Sequence, residues 1–295
     1  MPSSPDGDPA ARRYVERAGG APEQELPRGD VTEGVVRVGR TVRRPHQAQS
    51  LAVAGYLDHL HRAGFVGAPR YLGRDGRGRD VLDHLPGDVA GDPPEPWAAD
   101  ERLLVSVGRL VRDLHRASAG YLAGSGLRDP SGAPWQRDLL AVDGLPAEAD
   151  PPPELISHLD VTQQNVVVRY GEAVGLIDFD MAGPTTVAVD VYTTAMYWAP
   201  LRAERDVWPT WRGVDPFRRL GLLADACELS PGARAGFVDL GIARSAASRL
   251  RMAAAARTWG GGWARMWDAG VGDAISRRGR WLEEHRTEIE RALSR

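Results

Sequence analysis

The sequence contains no lysine, and all 37 of its basic residues are arginine. Any function that requires a lysine amine is therefore excluded. Arginine is not a neutral replacement, because its guanidinium is planar, larger than an ammonium and always charged. A genome whose base composition favours arginine codons accounts for the absence of lysine. That absence still has a chemical consequence for the protein.

Cysteine and long apolar segments are also scarce. The single cysteine, Cys227 in LLADACELS, excludes an internal disulfide and a cysteine-based zinc cluster, and we predict a buried, unreactive helix residue. No window reaches about 18 consecutive apolar residues. Residues 1–20 show no apolar segment typical of a signal peptide. We therefore expect a cytoplasmic protein with no membrane partner.

The chain nevertheless has enough apolar residues for a sizeable core. Its 295 residues are 42% hydrophobic, which is not the composition of a disordered chain. The formal net charge of −3 gives no general attraction to nucleic acid, so we expect no nucleic-acid partner. Length alone allows one large domain or two modest ones.

The N-terminal third reads as a flexible arm followed by a small sheet. Residues 1–28 are rich in proline, glycine and charge, which predicts a flexible arm. Within residues 29–86, VVRVG and TVRRP alternate apolar and polar residues and predict a β-hairpin that Pro45 closes. AQSLAVAGYLDHLHRAGF has helical periodicity, and APRYLG and DVLDHLPG predict two more strands around a turn.

Residues 87–295 read as mainly helical, with one β-rich insert. DERLLVSVGRLVRDLHRAS repeats apolar residues at helical spacing, and helical patterns dominate again after about residue 190. Strands and helices segregated in this way predict an α+β fold with two lobes, a small β-rich N-lobe and a larger helical C-lobe. A cleft between lobes is a common ligand site.

The β-rich insert, HLDVTQQNVVVRYGEAVGLIDFD, concentrates polar side chains among strand-forming residues. VVVRY and AVGLIDF flank Gly171 and predict a hairpin, which places the start of one strand beside the end of the other. Asn165 and Asp178 should therefore lie close together, with Asp160 on the preceding loop. Turns also favour Asp and Asn, and a lone Asp-x-Asp at a strand end has that simpler explanation.

These residue types suit Mg²⁺-dependent phosphoryl transfer. Mg²⁺ prefers oxygen ligands and commonly takes one or two carboxylates together with substrate phosphates. We predict Asn165 and Asp178 as metal ligands and Asp160 as the base that accepts a hydroxyl proton. His158 should fix the loop by packing or hydrogen bonding.

The motif resembles that of the aminoglycoside phosphotransferase and choline kinase superfamily, which has a protein-kinase-like fold. It stands here as His158, Leu159, Asp160, then Asn165, then Ile177, Asp178, Phe179, Asp180. Thr162-Gln163-Gln164 departs from the His-Pro-Gly that the family often has. The resemblance implies a supporting role for Asp180, and for Asp190 as the residue that braces the catalytic loop.

The resemblance also implies a nucleotide, ATP or GTP, bound by the N-lobe. The loop RGDVTEG, residues 28–34, would cover its phosphates, and the third strand should carry a cation for them. The family usually has lysine there; this chain offers Arg43 and Arg44, and strand alternation lets only one face the cleft. We predict Arg44. The following helix has no glutamate to pair with that cation.

Adenine recognition is expected from the hinge, through the backbone of Asp83, His84 and Leu85. The acceptor should lie over the helical lobe beside Asp160. Seven tryptophans after residue 190 indicate either a ligand pocket or helix-packing core. The acidic candidates for a cationic acceptor are Asp268, Asp273, Glu283 and Glu284, and the last two read more naturally as a solvated face.

The sequence thus predicts an Mg²⁺-dependent O-phosphotransferase that moves the γ-phosphate of ATP or GTP to a hydroxyl of a small molecule, in antibiotic resistance or natural-product metabolism. The alternative is a kinase-like fold without phosphoryl transfer, which binds a ligand or serves another biosynthetic reaction. The missing lysine and glutamate favour the alternative; Asp160, Asn165 and Asp178 favour the enzyme. The sequence leaves the acceptor and the oligomeric state open.

Overall fold

A five-stranded antiparallel sheet forms the N-terminal part of the computed structural model, which describes residues 21–26, 34–122, 131–140 and 142–294. Its strands are β1 (Glu23–Glu25), β2 (Val36–Val38), β3 (Thr41–Arg44), β4 (Tyr71–Arg74) and β5 (Asp80–Asp83), in the order β1-β2-β3-β5-β4. Helix α1 (Ser50–Arg62) follows β3, and its apolar face joins the core. The predicted strands and helix of this lobe are confirmed.

The β2–β3 hairpin shows why the sequence folds this way locally. Gly39 at its turn has φ of 59°, in the left-handed region that glycine adopts without strain. Val38 then pairs with Thr41, and the side chains of β3 alternate between buried Thr41 and Arg43 and the less buried Val42 and Arg44. This alternation decides which arginine faces the second lobe.

Strand β1 corrects the prediction that residues 1–28 form a flexible arm throughout. Its backbone pairs with β2, and Glu23 accepts hydrogen bonds from Arg77 and Arg79 at 3.0 and 2.8 Å. Ladder hydrogen bonds and two guanidinium partners thus order a segment whose composition predicted mobility. Of the predicted phosphate-covering loop, residues 28–34, only Gly34 lies within the described residues.

Helices dominate the rest of the described chain, and this confirms the larger helical lobe. They are α2 (Glu101–Ser118), α3 (Gln136–Leu139), α4 (Val187–Trp198), α5 (Pro216–Ala226), α6 (Pro231–Ala235), α7 (Phe237–Trp259), α8 (Gly261–Asp268), α9 (Val271–Glu284) and α10 (Arg286–Leu293). The lobe boundary at residues 86 and 87 stays a prediction. In the described ranges, no helix combines the length and apolar content needed to cross a bilayer.

Helix α2 runs through the centre of the helical lobe. Asp100 caps its N-terminus by accepting the amides of Arg102 and Leu103 at 2.6 and 3.2 Å. The helix buries one apolar face and contacts α5 at Gly108. A Cβ at Gly108 would lie 2.5 Å from the Ala226 Cβ, so the close approach of the two helices requires glycine there.

Two small antiparallel pairs interrupt the helices and carry the motif. Strand β6 (Leu155–Ser157) pairs with β9 (Gly183–Thr185), and β7 (Val166–Arg169) pairs with β8 (Glu172–Leu176). The second pair is the predicted hairpin. Asp88 forms a two-bond bridge with Val168 on β7, at 2.9 and 2.8 Å. The segment that links the lobes is therefore hydrogen-bonded directly to the hairpin.

Buried aromatic and thiol groups complete the core of the helical lobe. Trp198 and Trp211 are fully buried, which matches the core interpretation for these two, whereas Trp259 is 38% exposed. Cys227 is buried as predicted, and its Sγ lies 3.5 Å from the Gly108 carbonyl oxygen. Burial raises the pKa of this thiol, which disfavours the reactive thiolate.

Candidate active site

The two predicted site loops meet where β6 and β8 end. The Ile177 amide donates to the Asn165 carbonyl oxygen at 2.9 Å, so the residues that precede β7 and follow β8 are neighbours, as the hairpin predicts. Leu159 and Asp178 both have φ of 62°. Left-handed backbone at residues other than glycine costs roughly 1–3 kcal/mol and concentrates at functional sites.

Asp160 and Asn165 form the centre of the site. The Asn165 Nδ2 donates to the Asp160 carboxylate at 2.9 Å and to the Asp160 carbonyl oxygen at the same distance. These two bonds fix the amide with its nitrogen toward Asp160, so its oxygen lies on the opposite side of the amide group. The predicted base and the predicted amide ligand are thus held as one unit.

His158 is hydrogen-bonded to both site loops. Its ring is completely buried, lies 2.9 Å through Nε2 from the Ile177 carbonyl oxygen and accepts the Asp160 amide at Nδ1. The network therefore assigns the Nε2–H tautomer. Burial lowers the pKa of His158 and keeps the ring neutral. Its ring centroid is 4.5 Å from that of Phe179.

Asp190 on α4 contacts the same loop, and its role in bracing that loop stays a prediction. Its carboxylate accepts the Leu159 amide at 2.9 Å, the Ser157 hydroxyl at 2.7 Å and His115 Nε2 at 2.7 Å. Burial tends to raise the pKa of Asp190, but the hydrogen bonds from His115, Ser157 and Leu159 outweigh it and leave that pKa lowered. The contribution of His115 was missed because it lies on α2, far away in sequence.

Arg44 joins the N-lobe to the motif. Its guanidinium contacts Asp178, at 3.2 Å between Nη1 and Oδ1, and Asp180. Burial tends to lower the pKa of Arg44, but the two carboxylates outweigh it and raise that pKa. Arg43 points to the other face of β3, where it is buried and contacts Thr41. The structure thus places Arg44, and not Arg43, at the site.

Helix α1 has no glutamate that could pair with Arg44. The carboxylate partners of Arg44 come instead from the other lobe. A different acid organises the start of α1. Asp80, on the strand beside Arg44, is buried and accepts from Ser50 Oγ at 2.5 Å and Tyr71 Oη at 3.1 Å. Sequence reasoning missed Asp80 because it reads as an ordinary residue at the start of a strand.

The hinge residues are partly engaged within the N-lobe itself. The Asp83 amide donates to the Arg70 carbonyl oxygen at 3.0 Å, and the His84 amide donates to the Arg40 carbonyl oxygen at 2.9 Å. Leu85 packs against the hairpin, since a Cβ at Gly175 would lie 2.9 Å from its Cδ1. The role of these three residues in adenine recognition stays a prediction, and it would use backbone atoms other than the Asp83 and His84 amides.

The oxygen ligands at the site fit an Mg²⁺ ion whose coordination is completed by nucleotide phosphates. In the described part of the chain, no three acidic, histidine or cysteine side chains group into an all-protein metal site. Asp178, with its side chain 46% exposed, and the Asn165 amide oxygen provide one carboxylate and one neutral oxygen. Mg²⁺ is commonly held by so few protein ligands together with substrate phosphates.

Comparison with known proteins adds independent findings. A model of the phosphotransferase enzyme family (APH) matches residues 28–220. The chain is 29% identical over 270 residues to the trifolitoxin immunity protein of Rhizobium leguminosarum bv. trifolii, with 88% of this chain and 95% of that protein covered.

Two of the solved structures that resemble this chain each cover nearly all of it. One is a choline/ethanolamine kinase family protein from Mesorhizobium loti, at 18% identity and a TM-score of 0.55, over 96% of this chain and 98% of the other. The other is the spectinomycin phosphotransferase APH(9)-Ia with ADP and spectinomycin, at 10% identity and a TM-score of 0.51, over 96% and 98%. At these identities the likeness establishes the fold, and it confirms the predicted two-lobed, kinase-like architecture.

Proposed function

The chain belongs to the phosphotransferase enzyme family, and we propose that it transfers the γ-phosphoryl group of ATP or GTP to a hydroxyl of a small molecule. The observation that carries this proposal is the paired arrangement of Asp160 with Asn165 and of Arg44 with Asp178. One pair supplies a base and an amide oxygen, and the other a cation and a carboxylate, where the two lobes meet.

In the proposed step, the acceptor oxygen forms a bond to the γ-phosphorus as the bond to the β,γ-bridging oxygen breaks. Asp160 accepts the hydroxyl proton, and the nucleoside diphosphate leaves with the bond electrons. Asn165 holds the carboxylate of Asp160 at 2.9 Å, and the neutral ring of His158 supports its backbone. Positioning of this kind supplies most of the catalysis in phosphoryl transfer.

Asp178 and Asn165 would hold Mg²⁺, which neutralises charge on the β- and γ-phosphate oxygens when bound. Arg44 contacts Asp178 and Asp180 and is therefore beside the position of those phosphates. Its planar guanidinium can bind phosphate oxygens in pairs, which a lysine ammonium cannot do. We infer that Arg44 takes the part that lysine usually plays in the family.

Calorimetric titration of ATP and of GTP, with and without Mg²⁺, tests the nucleotide site. We expect binding that requires Mg²⁺ and that weakens at least about tenfold in Asp178→Ala, since a charge-assisted contact contributes ~1.5–3 kcal/mol. Asp268→Ala, which removes an exposed carboxylate on α8, is the matched control and should bind like the wild type. Absence of binding for both nucleotides at millimolar concentration would refute the enzyme proposal.

A second candidate function is protection from a toxin by binding alone. It is favoured by one observation, the 29% identity to a protein named for trifolitoxin immunity. The missing lysine agrees with it. Expression of the wild type and of Asp160→Asn in a trifolitoxin-sensitive strain separates the candidates. Protection by both proteins indicates binding, whereas protection by the wild type alone indicates phosphoryl transfer.

A further inference from the structure

Two arginines outside the motif meet at the C-terminal end of α4. Arg202 Nη2 donates to the Met196 carbonyl oxygen at 2.6 Å, and Arg278 Nη1 lies 2.9 Å from the Met196 Sδ. The Nε atoms of both arginines are buried and have no hydrogen-bond partner among the described residues. We refer to Arg202 and Arg278 as the arginine pair.

The arginine pair has no carboxylate of its own. Asp206 is the nearby acid, but both of its oxygens accept from Arg277, at 2.8 and 2.6 Å. Neither Arg202 nor Arg278 forms an ion pair with a carboxylate of the described residues. Burial, together with the charge of Arg278, lowers the pKa of Arg202. Two neighbouring, partly buried cations are unfavourable unless an anion accompanies them.

Other buried or partly buried arginines among the described residues have carboxylate or carbonyl partners, although Arg219 and Arg244 each also keep one buried nitrogen without a partner. Arg244 and Arg251 share the carboxylate of Asp150. Arg219 donates to the carbonyl oxygens of Trp198 and Ala99 at 2.7 and 2.5 Å. The arginine pair differs from these in bringing two guanidinium groups together with no ion-paired carboxylate among the described residues, an arrangement that suits an external anion.

The end of α4 connects the arginine pair, which contacts Met196, to the loop that carries the base. Gln163 Nε2 donates to the Tyr197 carbonyl oxygen at 2.8 Å, and Trp198 Nε1 donates to the Val161 carbonyl oxygen at 2.9 Å. The end of α4 is thus hydrogen-bonded to the residues that follow Asp160. Gln163 is one of the residues by which this chain departs from the family motif.

Aromatic rings hold Arg202 in place. Its guanidinium carbon is 4.6 Å from the centroid of Trp208, and Trp208 meets Trp211 edge-to-face with 5.7 Å between their centroids. Arg219 lies 5.0 Å from the centroid of Trp211. A guanidinium held against an aromatic ring loses little freedom when it binds an anion.

We propose that Arg202 and Arg278 bind an oxyanion, either a carboxylate or a phosphate group, that belongs to the acceptor whose hydroxyl Asp160 deprotonates. This inference rests on the proposed phosphoryl transfer and specifies its substrate class as an anionic hydroxyl compound. A polycationic acceptor would be repelled by the pair. The acidic candidates Asp268, Asp273, Glu283 and Glu284 are all exposed, and Glu283 pairs with Arg286.

Anion binding is measured first without nucleotide, so that it does not depend on catalysis. Sulfate, inorganic phosphate and acetate are titrated into protein labelled with ¹⁵N-arginine while the Nε–H resonances are followed. We expect saturable shifts of Arg202 and Arg278, at least about tenfold weaker in Arg278→Gln. Arg202→Lys, which keeps the charge, should retain part of the affinity. Arg286→Gln, at an exposed ion pair, is the control and should match the wild type.

Phosphoryl transfer is measured next, with hydroxy acids, sugar phosphates and the methyl esters of the same hydroxy acids as acceptors. An anionic acceptor whose KM rises at least about tenfold in Arg278→Gln, while its ester is unaffected, supports the proposal. Preference for acids or for phosphates identifies which anion is bound.

Two results would overturn the anion site and leave the proposed phosphoryl transfer intact. One is that sulfate shifts the Nε–H resonances equally in Arg278→Gln and the wild type. The other is transfer to a cationic acceptor with the same KM in both proteins. Anion binding with no transfer to any acceptor would support the anion site and contradict the proposed function.

Discussion

Arg44 on β3 and Asp178 after β8 form an ion pair across the two lobes, with 3.2 Å between Nη1 and Oδ1. Asp180 contacts the same guanidinium. The ion pair brings together the cation proposed to take the place of the family lysine and the carboxylate predicted to hold the metal. A phosphate group that entered between them would exchange a carboxylate partner of Arg44 for phosphate oxygens.

Substitution of Arg44 should therefore weaken nucleotide binding. We expect Arg44→Ala to raise the Kd for ATP with Mg²⁺ by about 10- to 100-fold, since it removes charge-assisted hydrogen bonds of ~1.5–3 kcal/mol. Calorimetric titration measures this. Arg62→Ala, which removes an exposed arginine paired with Asp58, is the control. An unchanged Kd in Arg44→Ala would show that the phosphates bind elsewhere.

Asp160→Asn should abolish transfer and spare nucleotide binding. Asparagine can keep the hydrogen bond from Asn165, but it cannot accept the acceptor proton, and loss of general base catalysis typically costs about 10²- to 10⁴-fold in kcat. The measurement is nucleoside diphosphate release in the presence of an accepted hydroxyl compound, beside ATP titration of the same protein. A kcat within about twofold of the wild type would remove Asp160 from the mechanism.

Much of the fold and of the site was predictable because it is local in sequence. Alternation in TVRRP placed Arg44 and Arg43 on opposite faces, and the hairpin around Gly171 brought Asn165 and Ile177 into backbone contact. Both inferences depend on strand geometry alone, in which successive side chains point to opposite faces and paired strands adjoin.

The remaining features depend on contacts between distant segments. His115 meets Asp190 from another helix, and Arg278 meets Arg202 from the end of the chain. The local sequence around each of these residues does not indicate its partner, since a lone histidine or arginine on a helix is most often a surface residue. Only the packing of the helical lobe brings these groups together.

Asp190→Asn should lower stability most strongly near neutral pH. The folded-state pKa of Asp190 lies below the unfolded value of about 3.9, so its stabilisation is complete well above that pH and is lost as pH falls through the folded-state pKa. Removing one partner from a buried network costs about 3–5 kcal/mol.

Thermal unfolding at a series of pH values tests this linkage. At pH 7 the Tm of Asp190→Asn should lie well below that of the wild type, and the gap in Tm should narrow as the pH falls below about 4, from the unfolded pKa toward the lower folded-state pKa. Asp268→Asn, at an exposed site on α8, should follow the wild-type curve. A gap that stays constant across this range would mean that the charge of Asp190 does not contribute.

The contact between α2 and α5 gives a prediction that is independent of catalysis. A Cβ at Gly108 would lie 2.5 Å from the Ala226 Cβ and 3.3 Å from the Leu223 carbonyl oxygen, so Gly108→Ala must push the two helices apart. Overpacking of this kind costs about 1–3 kcal/mol. Gly232→Ala, in the short helix α6, has nothing within 4 Å and is the matched control. Urea unfolding should show Gly108→Ala less stable than the wild type and Gly232→Ala equal to it or more stable. Equal stability of the two variants would mean that α2 and α5 move apart without lowering the free energy of unfolding.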